Sequence, residues 1–394
     1  VCTIRTRDTS WKTTFARSSS NFDHRPPRAA RNYARRVRVA YTLEQCWHAV
    51  PGGTAVAALE LARAIVAADQ VELVGVAGRH RRPPQPGFEP TTRVVRHLPL
   101  ARPWLYEAWN RLGRPAVERA TGPVDVCHST LAIPAPSAAA SVVTVHDIAF
   151  VHHPERFTSH GARVMRAGLE RCRTADVVVC PSQATADELV AIGFDATRLR
   201  VVPWGVRAEP VTPADVARVR AAYALPERFA LFVGTLEPRK NLARLAAAAE
   251  RAGMHLVVAG APGWGDTPAA GEAQFVGFVP GTDLPALYTA AAVFAYPSLH
   301  EGFGMPVAEA MAYGTPVVTS TAAATTEVAG GAAVLADPLD EGALAEALVA
   351  ALDDAQRLAA AGRQRAAELT WERAAAETVA AYHDAVAHAG ARAC

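Results

Sequence analysis

Glu301 and Glu309 stand with seven residues between them in the run His300-Glu301-Gly302-Phe303-Gly304-Met305-Pro306-Val307-Ala308-Glu309-Ala310. Gly302 and Gly304 admit close backbone approach and positive φ, and Pro306 suits a first helical turn, where a missing N–H costs nothing. The pattern predicts a loop feeding a helix that starts near Met305 and stops at Gly314, with Pro316 opening the next strand. A helix N-terminus behind glycines offers free N–H groups and the positive end of the helix dipole, which suits a phosphate or a polarised hydroxyl. Carboxylates beside such an end do not serve phosphate. They accept hydrogen bonds from vicinal hydroxyls, which a sugar and a ribose present. An anion-binding helix end flanked by hydroxyl acceptors is the chemistry of a nucleotide-sugar site.

Three other stretches carry chemistry. Pro51-Gly52-Gly53-Thr54 follows the first apolar run, and with Thr54 as N-cap it reads as a phosphate-sized nest or a plain tight turn. His146-Asp147 ends the run Val142-Val143-Thr144-Val145, a place where a histidine either caps a strand or faces a ligand. Arg239 and Lys240 lie in the turn Gly234-Thr235-Leu236-Glu237-Pro238-Arg239-Lys240-Asn241-Leu242 and offer a planar fork and a point charge to a diphosphate. His152 and His153 sit between a strand and Pro154 and read as loop residues, not metal ligands. The chain has no Asp-x-Asp, the pair that holds Mg²⁺ or Mn²⁺ in metal-dependent sugar transfer, so no metal and no cofactor are expected.

The elements that must hold these residues alternate in type. Short apolar runs at Val37–Tyr41, Val71–Val76, Val94–Leu98, Val124–Cys127, Val142–Val145, Asp176–Cys180 and Leu199–Val202 are separated by helical stretches, Thr54–Ala68 and Trp104–Arg119 among them. A second series follows at Phe229–Val233, His255–Ala259, Phe275–Val279, Val293–Tyr296 and Val317–Val318. This rhythm predicts two α/β, Rossmann-like domains with parallel sheets and ligand edges at the carboxyl ends of their strands. The expected division is a basic tail over 1–36, an N-terminal domain over 37–205, a C-terminal domain over 206–370, and a last helix over 371–394.

Composition narrows the class. The formal charge of +2 hides a net +7 in residues 1–36, which leaves −5 for the rest and gives no general surface for nucleic acid. That tail, rich in Ser, Arg and Pro, is expected to be disordered or an over-extended reading frame. Six scattered cysteines with no Cys-x-x-Cys point to a reducing cytosol. No apolar run is long enough to span a bilayer. Arg156, Arg163, Arg166, Arg171 and Arg173 read as a solvated face or a contact with anionic lipid.

The string His-Glu-Gly-Phe-Gly-Met-Pro, then Glu-Ala-Met-Ala, then Gly-Thr-Pro-Val-Val resembles the signature of the retaining glycosyltransferases of family four, which have the two-domain GT-B fold. The resemblance runs from about Val37 to the final helices and is strongest in the second half. It implies that Gly52 and Gly53 face the donor diphosphate with Arg239, Lys240 and the Gly302-Phe303-Gly304 loop. It also implies that Glu301 holds sugar hydroxyls, Glu309 the ribose, and that His146 lies beside the transferred sugar. The catalytic set is then Glu301, His146 and Lys240. Some members carry an arginine directly after the glycine, where this chain has Thr235. The segments Val-His-Asp-Ile-Ala-Phe and Gly-Thr-Leu-Glu-Pro-Arg-Lys-Asn resemble bacterial mannosyltransferases of polysaccharide or glycolipid assembly. Expected partners are therefore a nucleotide sugar, GDP-mannose first, and a glycan or lipid-linked acceptor at the inner face of a membrane. A related-fold epimerase, a phosphorylase and a non-catalytic sugar-nucleotide-binding protein are the alternatives. A dinucleotide oxidoreductase is weaker, because no Gly-x-Gly-x-x-Gly follows a strand.

Overall fold

Val, Phe and Ala fill the short runs, and such runs with no polar alternation pack into sheets covered on both faces. The computed structural model describes residues 36–48, 51–261 and 271–393. The basic tail expected over residues 1–36 lies outside the described residues except for Arg36.

The first sheet holds β1 (Arg38–Thr42), β2 (Glu72–Ala77), β3 (Val95–His97), β4 (Val126–Ser129), β5 (Ala140–Thr144), β6 (Val177–Cys180) and β7 (Leu199–Val201). The second holds β8 (Phe229–Val233), β9 (His255–Ala259), β10 (Gln274–Gly277), β11 (Val293–Tyr296), β12 (Val317–Ser320) and β13 (Val334–Ala336). Their orders are β3-β2-β1-β4-β5-β6-β7 and β10-β9-β8-β11-β12-β13, with every pairing parallel. Each is a doubly wound sheet. Its strand order reverses between β1 and β4 in one and between β8 and β11 in the other, and ligand crevices open at such points.

Helices α1 (Gly52–Ala68), α2 (Trp104–Leu112), α3 (Glu118–Thr121), α4 (Ala149–His152), α5 (Ser159–Cys172) and α6 (Gln183–Ala191) belong to the first half of the chain. Next come α7 (Pro213–Ala222), α8 (Leu242–Arg251), α9 (Leu284–Ala290), α10 (Met305–Ala312), α11 (Ala323–Ala329), α12 (Glu341–Asp353), α13 (Ala355–Glu368) and α14 (Trp371–Ala393). The helix expected over Trp104–Arg119 is in fact broken. Gly113 takes a left-handed φ of 60° as the C-cap of α2, and Pro115 beyond it has no N–H to continue the ladder.

The chain passes between the two halves twice, and the two passages touch. Val206 N donates to Leu369 O at 2.9 Å, and a Cβ on Gly205 would lie 2.2 Å from Trp371 N, so only glycine fits there. After the second passage α14 packs on α1, β5 and β6 of the first half. Tyr382 on α14 is fully buried, and its hydroxyl meets His128 Nδ1 at 2.8 Å while His128 Nε2 meets Thr144 Oγ1 at 2.8 Å. Burial pushes the His128 imidazole down to about 3, so it is a neutral core residue. Cys46, Cys127, Cys172 and Cys180 are buried free thiols.

Candidate functional site

The second-sheet crevice gathers its groups from the ends of β8 and β11. After β8 the chain turns through Glu237, and a short 3₁₀ turn, Pro238–Lys240, aims Arg239 and Lys240 at the loop that follows β11. That loop carries Ser298, His300 and Glu301. Lys240 Nζ reaches Glu301 Oε1 at 2.6 Å and also touches the Tyr296 hydroxyl. Arg239 Nη1 lies 3.0 Å from the same oxygen, Ser298 Oγ donates to it at 2.6 Å, and Tyr296 OH donates at 3.1 Å. All of these contacts converge on Oε1, and among the described residues none is made to Oε2. One carboxylate oxygen is thus fixed by the protein while the other remains an acceptor for a bound hydroxyl.

The electrostatics follow from crowding. Burial alone would raise the Glu301 carboxyl, but Arg239 and Lys240 outweigh it and hold Glu301 well below the usual carboxylate range. Burial and the Arg239 charge lower the Lys240 ammonium, against the pull of Glu301. Arg239 is more tightly engaged than a free diphosphate clamp would be. It also binds Glu237 Oε2 at 2.8 Å and donates to His300 O at 3.0 Å.

Glu309 sits on α10, away from this cluster. It accepts from Tyr288 OH at 2.7 Å, and although part of its surface stays open, burial pushes its carboxyl up to about 7. Gly304, with φ of 99°, caps α10. Among the described residues the N–H groups of Phe303, Gly304 and Met305 have no acceptor within the chain, so this helix end keeps its donors. The Phe303 ring is 3% exposed and packs on Trp204, with ring centroids 5.3 Å apart.

The loop abuts the first half directly. A Cβ on Gly302 would lie 1.7 Å from His146 O, so any other residue would push the halves apart. Gly302 O accepts from Ser182 Oγ at 2.7 Å and Thr185 Oγ1 at 3.2 Å. Glu327 on α11 accepts from Gln183 N and Ala184 N at the start of α6, a carboxylate placed on a helix N-terminus. His146 therefore sits at the same junction as Glu301. Its Nε2 contacts Thr130 O at 2.8 Å, which only a protonated nitrogen can do, and burial lowers its basicity. The other nitrogen, Nδ1, is a buried acceptor without a partner.

The first-sheet crevice opens between β1 and β4. Gly52 and Gly53 form the first turn of α1, not a loop before it. Gly52 takes φ of 64°, Pro51 is the cap, and Thr54 is not the N-cap that the sequence led us to expect. Among the described residues nothing lies within 4 Å of a Cβ built at either glycine. Beside it are buried polar groups the sequence reading passed over. Gln45 Nε2 donates to Thr130 Oγ1 at 2.7 Å, and Glu44 Oε2 accepts from Gly78 N at 2.6 Å. Glu44 Oε1 and Gln45 Oε1 are buried without a partner.

Tyr288, Tyr296 and Ser298 were also missed, because each reads locally as strand, helix core or turn. Their only signal was proximity to the glutamate motif. His152 and Glu188 are brought to His300 by the fold, which corrects the view of His152 as a plain loop residue.

The chain is similar to known glycosyltransferases in sequence and in fold. A family model for Glycosyl transferases group 1 matches residues 227–354, and one for Glycosyltransferase Family 4 matches residues 51–209. The O-antigen chain mannosyltransferase B of Escherichia coli is 33% identical over 265 residues, covering 61% of this chain and 70% of that one. A D-inositol 3-phosphate glycosyltransferase of Salinispora tropica is 36% identical over 252 residues, covering 54% of this chain and 52% of that one. Among solved structures, a sucrose-phosphate synthase from Thermosynechococcus elongatus aligns with TM-score 0.67 at 22% identity, over 88% of this chain and 98% of that one. An Anabaena HepE in complex with UDP-glucose aligns with TM-score 0.65 at 19% identity, over 87% of this chain and 99% of that one.

Proposed function

The chain belongs to the family 4 glycosyltransferases and has the GT-B fold, and from that premise we propose that it moves a hexose, mannose from GDP-mannose, to a glycan or glycolipid acceptor with retention at the anomeric carbon. The observation that carries this reading is the contact of Gly302 with the His146 carbonyl, which sets Glu301 and His146 across one junction between the two crevices.

In this reading the N–H groups at the starts of α1 and α10 receive the diphosphate, and Lys240 stabilises the charge that grows on the leaving oxygen. Glu301 Oε2 accepts from sugar hydroxyls while Oε1 stays pinned. Arg239 holds Glu301 in place and adds positive potential. Glu309 takes the ribose hydroxyls as a carboxylate. His146 lies beside the anomeric centre, where its partnerless Nδ1 accepts a hydrogen bond from the donor or the acceptor. As the resemblance to retaining family 4 enzymes implies, the bond to the acceptor forms on the face the phosphate leaves, and the leaving phosphate takes the acceptor's proton. The mannose assignment rests on relatives named as mannosyltransferases in Escherichia coli and Mycolicibacterium hassiacum. A nucleotide-sugar donor is supported by the UDP-glucose bound in the HepE neighbour. Glu44 and Gln45 offer buried acceptor atoms to a hydroxyl-rich acceptor substrate in the first crevice.

The donor site as read here has no need of a divalent ion, since ammonium, guanidinium and helix ends supply the electrostatics. GDP-mannose consumption by the purified chain is expected to persist in excess EDTA. Loss of turnover that Mg²⁺ or Mn²⁺ restores would refute this.

A further inference from the structure

His152, Glu188 and His300 come from three separate places, the end of α4, helix α6 and the loop before Glu301, and their ligand atoms all lie within 4.8 Å of one another. The first two belong to the first half and the third to the second half. His300 Nε2 is 2.9 Å from Glu188 Oε1, and His152 Nε2 is 3.9 Å from Glu188 Oε2. The second distance is too long for a hydrogen bond. Glu188 Oε2 is accordingly a buried carboxylate oxygen without a hydrogen-bond partner, and His300 Nδ1 is likewise unpartnered. Such orphaned groups are costly unless something binds them.

We propose that these three side chains form a site for Zn²⁺ or a similar transition metal, which staples the two halves together beside the loop that carries Glu301. Zinc takes nitrogen and carboxylate oxygen at about 2.0–2.2 Å in tetrahedral array, which sets neighbouring ligand atoms about 3.3 Å apart. With one ligand atom from each residue, the three already lie within 4.8 Å of one another, so side-chain rotations of about an ångström bring them to that spacing. Two imidazoles and a carboxylate, with a fourth position left for water, favour zinc over Mg²⁺ or Ca²⁺, which take oxygen ligands. His152 is 40% exposed and Glu188 31%, which leaves a path for entry from solvent. The ion binds neither diphosphate nor sugar in this scheme. It joins α4 and α6 to a loop whose next residue is Glu301, and so restrains the relative movement of the halves.

The test titrates Zn²⁺ alone into the full chain and into His152→Ala and Glu188→Gln, following bound metal and the thermal midpoint. The wild-type chain should bind one equivalent more than either variant, or bind that equivalent about a hundredfold more tightly, and Zn²⁺ should raise its midpoint more than theirs. Both substitutions fall at partly exposed positions, and equal midpoints without metal confirm that the variants fold. Co²⁺ in place of Zn²⁺ should give the visible bands of a four-coordinate site in the wild type only. Equal stoichiometry, affinity and midpoint shift in all three proteins would overturn the proposal. GDP binding, measured in parallel, separates this result from the donor reading, since failure of GDP to bind leaves the zinc comparison intact.

Discussion

Lys240 is 8% exposed on its side chain and 2.6 Å from Glu301, and in the proposed reading it acts on the donor from this dry, preorganised position. Part of its attraction for a diphosphate is already present in the ground state, and the remainder grows as the glycosidic bond breaks. Lys240→Met keeps the stem and removes the charge; turnover should fall by about a hundredfold or more, with a smaller change in the Michaelis constant. Lys240→Arg should rescue only in part, because a planar guanidinium does not fit between Tyr296 and Glu301 as an ammonium does. A rise in the Michaelis constant with turnover intact would make Lys240 a binding residue alone. Glu309 gives a test with two opposite signs. Its carboxyl, ordinarily near 4.5, is raised to about 7 by burial, so between those values the unfolded chain sheds a proton that the folded chain keeps. Stability from this group therefore falls as pH rises from about 4.5 to about 7 and is level above that. Glu309→Gln should raise the thermal midpoint at pH 8 and weaken nucleoside-diphosphate binding by about 1–3 kcal/mol. Unchanged affinity, or a lower midpoint at pH 8, would contradict the assignment.

Elements explain why part of the site was legible and part was not. The glutamate motif is local: β11, the glycine loop and α10 follow one another within a short stretch, so residue types and spacing gave the helix start at Met305 directly. The strand pattern was equally plain, since buried parallel strands are continuous apolar runs. The clustering of Arg239 and Lys240 on Glu301 needed the β8–β11 adjacency, and the approach of His152 and Glu188 to His300 needed both halves. No local pattern carries such information. The Arg156–Arg173 stretch shows the same limit at the surface. It was read as a solvated face or a lipid contact, and pairings the sequence did not reveal hold part of it: Arg163 leans on Glu107 at 3.4 Å, and Arg173 is held by Glu170 at 2.8 Å and Ile192 O at 2.7 Å. Neighbouring α2 instead exposes Trp104 at 70% and Leu112 at 72%, with Arg111 between them. If this side meets anionic lipid, each basic residue adds about 1 kcal/mol at low salt, and the indole supplies an interfacial anchor. Co-sedimentation with phosphatidylserine vesicles should exceed that with neutral vesicles, weaken with salt and drop in Trp104→Ala. Equal sedimentation with both vesicle types at low salt would reject the contact.

At the scale of the whole molecule, two doubly wound sheets place their crevices at the junction where Gly302 meets His146. The chain passages at Gly205 and Trp371 run in contact, and α14 returns to pack on the first half. In the proposed reading, as the resemblance to retaining glycosyltransferases implies, the incoming hydroxyl approaches on the side the diphosphate leaves, and configuration is kept. Water can take the acceptor's place, so the stereochemistry can be read without knowing the natural acceptor. Proton NMR of GDP-mannose incubated with the purified chain in EDTA, recorded before mutarotation sets in, tests this most directly. The account predicts α-mannose as the first sugar released, and β-mannose appearing first, or no turnover of GDP-mannose at all, would contradict it.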